Sequence, residues 1–197
     1  MFLMFRIFHS RKPFMVIALI LTLFMCTIFS ADAQRTMKGQ HAIGVEAAGY
    51  IPNLGNLGVN LNYSQYLLGA YWMIDAFVGS NRINVTGGIP MNFIECTFGG
   101  GYMYRLLATR SRSISLYAGG GAFIGYELYD PMKNLPSSID TELPTGNFLY
   151  GVSPRIEAEF FVIRQLAITV GTVAMVNFSS PLVMFRPQLR LGLRYDI

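Results

Sequence analysis

Glu157 and Glu159 stand two positions apart, about as a glycosidase spaces its acid and base on one strand face. Nothing around them resembles a sugar cleft, and Arg155, Arg186, Arg190 and Arg194 are close enough in sequence to serve as partners. Charges confined to a narrow interior must be paired, because an isolated one is costly to bury. These residues are therefore expected to form an interior ion network, joined by Glu46, Asp75 and Glu95. His41 is the one histidine past residue 33, and any Ser–His or Asp–His hydrolase would have to use it. Its place at the start of the first periodic segment, away from the long loops, argues against that role. Cys96 stands alone past residue 33, with no disulfide partner and no metal-ligand spacing. The triplets Gly99-Gly100-Gly101 and Gly119-Gly120-Gly121 lie inside periodic segments with no helix following, so they are not phosphate loops. They are expected to let neighbouring strands bend and approach closely. No catalytic, cofactor or metal site is indicated, and a non-enzymatic role is expected.

The elements that must hold these charges are legible in composition and periodicity. Across 197 residues, 52% are hydrophobic and only 13% charged, with 20 glycines; mean hydropathy is +0.40. A soluble domain carries about a quarter charged residues, so an ordinary water-facing surface is excluded. Glycine at this level also disfavours a bundle of membrane helices.

Part of the apolar excess lies at the N-terminus. Arg6, Arg11 and Lys12 precede the apolar run Phe14 to Ser30, and Ala31-Asp32-Ala33 has the small-x-small form of a signal-peptidase site. Residues 1–33 are expected to be a cleaved signal peptide, with Gln34 opening the mature chain. Removal of three basic residues and Asp32 leaves 12 Lys+Arg (15 − 3) against 10 Asp+Glu (11 − 1). No basic cluster is interleaved with aromatics, so direct nucleic-acid binding is not expected.

Past Gln34 no apolar run reaches the ~18 residues of a spanning helix. Instead, side-chain character alternates with a period of two. Ile114, Leu116, Ala118, Ala122 and Ile124 alternate with Ser113, Ser115, Tyr117, Gly121 and Phe123. Tyr150, Val152, Ile156, Ala158 and Phe160 oppose Gly151, Ser153, Arg155, Glu157 and Glu159. The pattern predicts about eight amphipathic strands, near 40–50, 58–66, 70–79, 91–106, 112–127, 147–161, 165–177 and 183–196. Connections alternate between short (Leu67–Gly69, Leu107–Ser111, Val162–Arg164) and long (Ile51–Leu57, Ser80–Pro90, Leu128–Gly146). With an even strand number, both termini and every short turn fall on one side, as in outer-membrane barrels with short periplasmic turns.

A lipocalin-like barrel with apolar interior shares this periodicity. Small residues on the polar faces, the export signal, and Tyr50, Tyr63, Tyr66, Tyr102, Tyr104, Tyr126, Tyr150 and Tyr195 near strand ends favour the membrane. The expected fold is an all-β, antiparallel, up-and-down transmembrane barrel over residues 34–197, placed in a Gram-negative outer membrane and surrounded by its lipid. The segment Arg190-x-Gly192-x-x-Tyr195-x-Ile197 has the form of the terminal strand read by barrel-assembly machinery. Pro154 and Pro187 fall within strands and cannot donate to a ladder, so an irregularity is expected at each.

Gln34-Arg35, Gly44-Val45-Glu46, the run Gly119 to Glu127, Phe148-Leu149-Tyr150-Gly151 and Glu157-Ala158-Glu159 together resemble the conjugative transposon protein TraO family of Bacteroidetes. The likeness covers the mature chain in order and loop placement and is strongest from Tyr117 to Phe160. It implies an outer-membrane component of a DNA-transfer apparatus, partnered by other transfer proteins, and it implies no catalytic residues. Because eight strands enclose only enough space for side chains, such a component would be an anchor and not the DNA conduit. The alternative is a stand-alone surface barrel for adhesion, immunity or envelope stability.

Overall fold

The computed structural model describes residues 38–51, 54, 56–85, 89–130, 146–180 and 183–197. The expected signal peptide, with Ala31, Ala33 and Gln34, lies outside the described residues, as does most of the connection from Leu128 to Gly146.

Nine strands follow one another: β1 His41–Tyr50, β2 Leu57–Leu67, β3 Ala70–Val85, β4 Ile89–Ala108, β5 Ile114–Asp130, β6 Gly146–Val152, β7 Arg155–Ile163, β8 Leu166–Asn177 and β9 Phe185–Asp196. Each is antiparallel to its neighbours, and β9 pairs with β1 to close the ring. β6 and β7 share one place between β5 and β8, so the ring has eight positions. They are one expected strand interrupted at Ser153-Pro154. Pro154 has no N–H to give, but the chain never leaves the wall. Ser153 N–H still donates to Gly121 O at 2.9 Å, and Pro154 O accepts from Ala174 N–H at 2.9 Å.

Pro187 departs from expectation, because β9 pairs without a shift from Arg186 through Gln188. In an antiparallel ladder a residue's N and O point to the same neighbour. Pro187 O accepts from Ile51 N–H at 2.8 Å, just past the last β1–β9 pair, Tyr50 with Gln188. Its missing donor faces the side where the β1 ladder has already ended, so nothing is broken.

Alternation decides which way the barrel is turned. β1 buries Ala42, Gly44, Glu46, Ala48 and Tyr50 and exposes Ile43 and Val45. β9 buries Arg186, Gln188, Arg190, Arg194 and Asp196 and exposes Leu189, Leu191, Leu193 and Tyr195. The inside is polar and charged and the outside apolar, the arrangement of a transmembrane barrel and the inverse of a lipocalin.

A circuit of paired residues runs Tyr117, Glu157, Gly171, Arg190, Ala48, Gly58, Gly79, Glu95 and Glu127. It returns to β5 ten residues from its start (127 − 117). A shear of ten over eight positions tilts the strands by about 40° from the barrel axis. The outward stretch of β4 from Ile94 to Tyr104 then spans about 25 Å of height, the thickness of an apolar membrane band.

Two expectations about strand ends change. The segment Ser80–Pro90 is not a long loop, because β3 and β4 stay paired from Gly79 with Glu95 out to Val85 with Ile89. Its Gly, Asn and Pro content resembles a loop, yet the continuing hairpin satisfies the backbone as a two-stranded ribbon. Tyr50 and Tyr66 do not join the outer aromatic belt. Both are buried, since Tyr50 shares parity with Glu46 and Tyr66 with Ser64. Tyr102, Tyr104, Tyr126, Tyr150 and Tyr195 do face outward. Gly101 and Gly121 pair where β4 and β5 run close; a Cβ on Gly101 would lie 2.8 Å from Gly120 O.

Candidate functional site

β9 supplies three of the four arginines inside the barrel, Arg186, Arg190 and Arg194, and β7 supplies Arg155. With side chains on one face at every second residue, a single strand carries cations through most of the barrel's height. The carboxylates are spread around the wall: Glu46 on β1, Asp75 on β3, Glu95 on β4 and Glu127 on β5, with Glu157 and Glu159 beside Arg155 on β7 and Asp196 beside the arginines of β9.

In the layers nearest the termini, Arg194 Nη1 lies 3.1 Å from Glu159 Oε1 and Nη2 lies 2.8 Å from Glu157 Oε1. Its guanidinium sits 5.0 Å over the Tyr71 ring. Tyr66 donates its hydroxyl to Glu159, and Tyr71 donates to Glu157 Oε1 at 2.8 Å. Tyr66, Tyr71 and Tyr117 pack edge to face, at centroid separations of 5.4 and 4.9 Å. The phenols thus fill the bore with apolar rings while satisfying the acids with their hydroxyls.

Above them, Arg155 holds Asp75 at 3.3 Å and reaches Glu157 at 3.8 Å. Arg190 lies 3.5 Å from Glu46 and 3.6 Å from Asp75, and donates to Gln188 Oε1 at 2.9 and 3.1 Å. Asn60 donates to Glu46 at 2.9 Å. Toward the long connections, Arg186 clamps Glu95 and Glu127, the latter at 2.6 Å, and lies 4.6 Å over the Phe93 ring. Tyr50 donates to Glu95, and Tyr129 donates to Glu127.

The structure therefore brings Glu46, Glu95, Arg155, Glu157, Glu159, Arg186, Arg190 and Arg194 into the lumen, with Asp75 at its edge. Glu157 and Glu159 are each taken by arginine and tyrosine, so neither is poised as a free acid or base. Glu127, Asp196 and the inward Tyr50, Tyr66, Tyr71 and Tyr129 are not among the interior residues that the sequence indicates, whereas Gln188 and Tyr117 already fall on the polar faces of their strands. Parity could have found Glu127, which shares a face with Ser115, Tyr117 and Phe123.

Of the terminal-strand residues, Arg190 points inward, Gly192 pairs with Glu46 and Thr169, and Tyr195 and Ile197 face outward. His41 belongs to the wall: Tyr63 stacks on it, with the hydroxyl 2.5 Å from Nδ1. Cys96 is exposed on the outer face. Among the described residues no cluster of His, Cys, Asp or Glu is arranged to hold a metal ion.

Such a lumen is a plug. The void lined by Met73, Asp75, Met103 and Arg155 has a volume of about 10 Å³, enough for one water at most. Chemically, the arrangement cross-links opposite walls with charge-assisted hydrogen bonds, and among the described residues the charged side chains that fill the interior are buried.

The fold is shared with known outer-membrane proteins. Ail, the attachment invasion locus protein of Yersinia pestis, superposes with a TM-score of 0.52 at 15% identity, covering 82% of this chain and 100% of that one. Neisserial surface protein A gives 0.57 at 12% identity, covering 80% and 96%. At these identities the likeness is one of fold alone. No curated protein matches the sequence. The model of one family, however, matches residues 57–197, from the start of β2 to Ile197. That span takes in seven of the ring's eight positions and every lumen arginine, and the chain belongs to the conjugative transposon protein TraO family.

Proposed function

We propose that this protein is an outer-membrane anchor of a conjugative transposon's DNA-transfer apparatus, a fixed collar for other transfer proteins and not the channel for DNA. The family supports the setting, and the plugged lumen carries the choice of role. An eight-position barrel encloses only enough space for side chains, and here four arginines and their acids occupy it. Export by the N-terminal signal, delivery through β9 to barrel-assembly machinery, and docking to transfer proteins without direct nucleic-acid contact complete the reading.

The test is a clean deletion in donor cells. Transfer of the element should fall by orders of magnitude, while uptake of small antibiotics and detergent sensitivity stay as in the parent. Purified protein in planar bilayers should show no stable open channel. Normal transfer from the deletion donor would favour a stand-alone surface barrel for adhesion, immunity or envelope stability, and a steady large conductance would reject the anchor role.

A further inference from the structure

Beyond the four lumen arginines, the described residues hold six cations: Lys38, Arg82, Arg105, Arg110, Arg112 and Arg164, of which Arg105 shares the inward face of Met103 at the barrel mouth. Five of them lie at the end carrying the short turns, and only Arg82 lies at the other. Lys38 leads into β1, Arg105 is tied to the β2–β3 turn by its N–H to Gly69 O at 3.0 Å, and Arg110 and Arg112 sit in the β4–β5 turn. Arg164 sits in the β7–β8 turn. The five fall at three places around the rim: Lys38 before β1, Arg164 between β7 and β8, and Arg105, Arg110 and Arg112 together at the β4–β5 end. Among the described residues no exposed acidic side chain lies with them and none of them makes an ion pair; Asp196, at the same end, is buried and accepts from Gln40 at 3.0 Å.

The same turns expose large apolar side chains: Leu68, Leu106, Leu107 and Ile163. Apolar groups at the turns themselves place the edge of the hydrocarbon there, which sets the neighbouring cations at the depth of lipid phosphates. The β4–β5 turn adds a second observation. Arg112 holds a left-handed φ of +57°, a conformation that Gly or Asn adopts far more cheaply. Beside it the hydroxyl of Ser111, which separates the two arginines in sequence, meets those of Thr109 at 3.3 Å and Ser113 at 2.8 Å. Two guanidiniums interleaved with the exposed hydroxyls of Thr109 and Ser111 form a donor set for a phosphate, with buried Ser113 holding Ser111 in place.

We propose that this rim binds anionic glycerophospholipid headgroups of the leaflet on the side of the termini, with the Thr109–Ser113 turn as its principal site. A lipid surrounds a barrel on all sides, which matches cations at three places around the rim; an acidic protein segment would need them on one arc. Attraction to an anionic surface is worth about fivefold in affinity for each cation near it.

The protein, extracted from assembled membranes, is exchanged into nanodiscs of equal phosphatidylglycerol and phosphatidylcholine, and retained lipid is counted by native mass spectrometry. Wild type should retain phosphatidylglycerol at least tenfold over phosphatidylcholine. The variant K38Q/R110Q/R112Q/R164Q should bring the ratio near one, and R82Q should leave it unchanged. If the fourfold variant does not assemble, R110Q and R164Q should each lower the ratio several-fold. R112G separates binding from folding: with the backbone relieved it should melt no lower than wild type in phosphatidylcholine, yet retain less phosphatidylglycerol. Equal retention of the two lipids by wild type, or an R82Q loss as large as the rim variant's, would overturn the proposal. So would rim-dependent binding of a poly-glutamate peptide without any lipid preference, which would assign the rim to a protein partner.

Discussion

Replacing Arg194 by Met tests whether the lumen is held by coupled charges or simply filled. Arg194 is fully buried and, among the described residues, is the one cation paired with Glu159, at 3.1 Å; it also makes the shortest ion pair of Glu157 there, at 2.8 Å. In the Met variant Glu157 retains Arg155 at 3.8 Å, whereas Glu159 retains only the Tyr66 hydroxyl. Removing one member of a buried pair costs about 3–5 kcal/mol, because the survivor stays desolvated without its counter-charge. A second change, Glu159→Gln, removes that charge and keeps an oxygen to accept from Tyr66. The double variant should therefore regain about 2 kcal/mol of the loss, within the range of coupling between touching residues. Arg164→Met, on an exposed turn, should stay within about 0.5 kcal/mol of wild type. Guanidinium titrations in phosphatidylcholine vesicles measure wild type, these three variants and Glu159→Gln alone, read by heat-modifiable gel migration and by fluorescence of Trp72, the single tryptophan. Loss below about 1 kcal/mol for Arg194→Met, or a double variant as damaged as the summed single changes, would refute the coupled network.

Leu191 is exposed midway along the outward face of β9, and Leu191→Arg should cost about 2–4 kcal/mol in the same titration, against about 0–1 for Leu106→Arg at the rim. Equal costs would mean that Leu191 is not at the bilayer midplane. A Cβ on Gly121 would stand 2.8 Å from both Gly100 C and Gly101 Cα, so Gly121→Val should reduce the assembled band on a heat-modifiability gel to a trace. Gly100→Ala, where the nearest atom is 3.5 Å away, should assemble normally. An epitope placed between Ser111 and Arg112 should stay hidden on intact cells and become reactive once the outer membrane is opened. Labelling of intact cells would reverse the assigned orientation.

Period-two alternation made the faces legible, and with them which charges enter the lumen. It says nothing of height. Glu159 meets Arg194 because the β7–β8 and β8–β9 turns fix Glu159 opposite Thr169 and Thr169 opposite Gly192, two residues from the arginine. That offset is set by turn geometry, which composition does not encode. Tyr50 and Tyr66 lie near strand ends, which suggests the belt, but they share the parity of Glu46 and Ser64, and the lumen offers carboxylates to their hydroxyls. Pro154 and Pro187 look alike in sequence. They differ in whether a neighbouring ladder still runs beside the missing N–H, a fact that exists only once strands have partners. The cations of Thr109–Ser113 were visible as residues, but their gathering at one end follows from strand count and tilt.

The placement of arginines on β9 bears on the order in which the molecule can be built. Before β9 docks, the walls that will line the lumen carry Glu46, Asp75, Glu95, Glu127, Glu157 and Glu159 against Arg155 alone. A sheet curling early onto itself would press those carboxylates together without counter-ions, so a prematurely closed cylinder is disfavoured by self-repulsion. Arrival of β9 delivers three guanidiniums in the same motion that zips it to β1 and β8. In an assembly that ends with β9 joining both neighbours, closure of the ring and neutralisation of its interior would be one event.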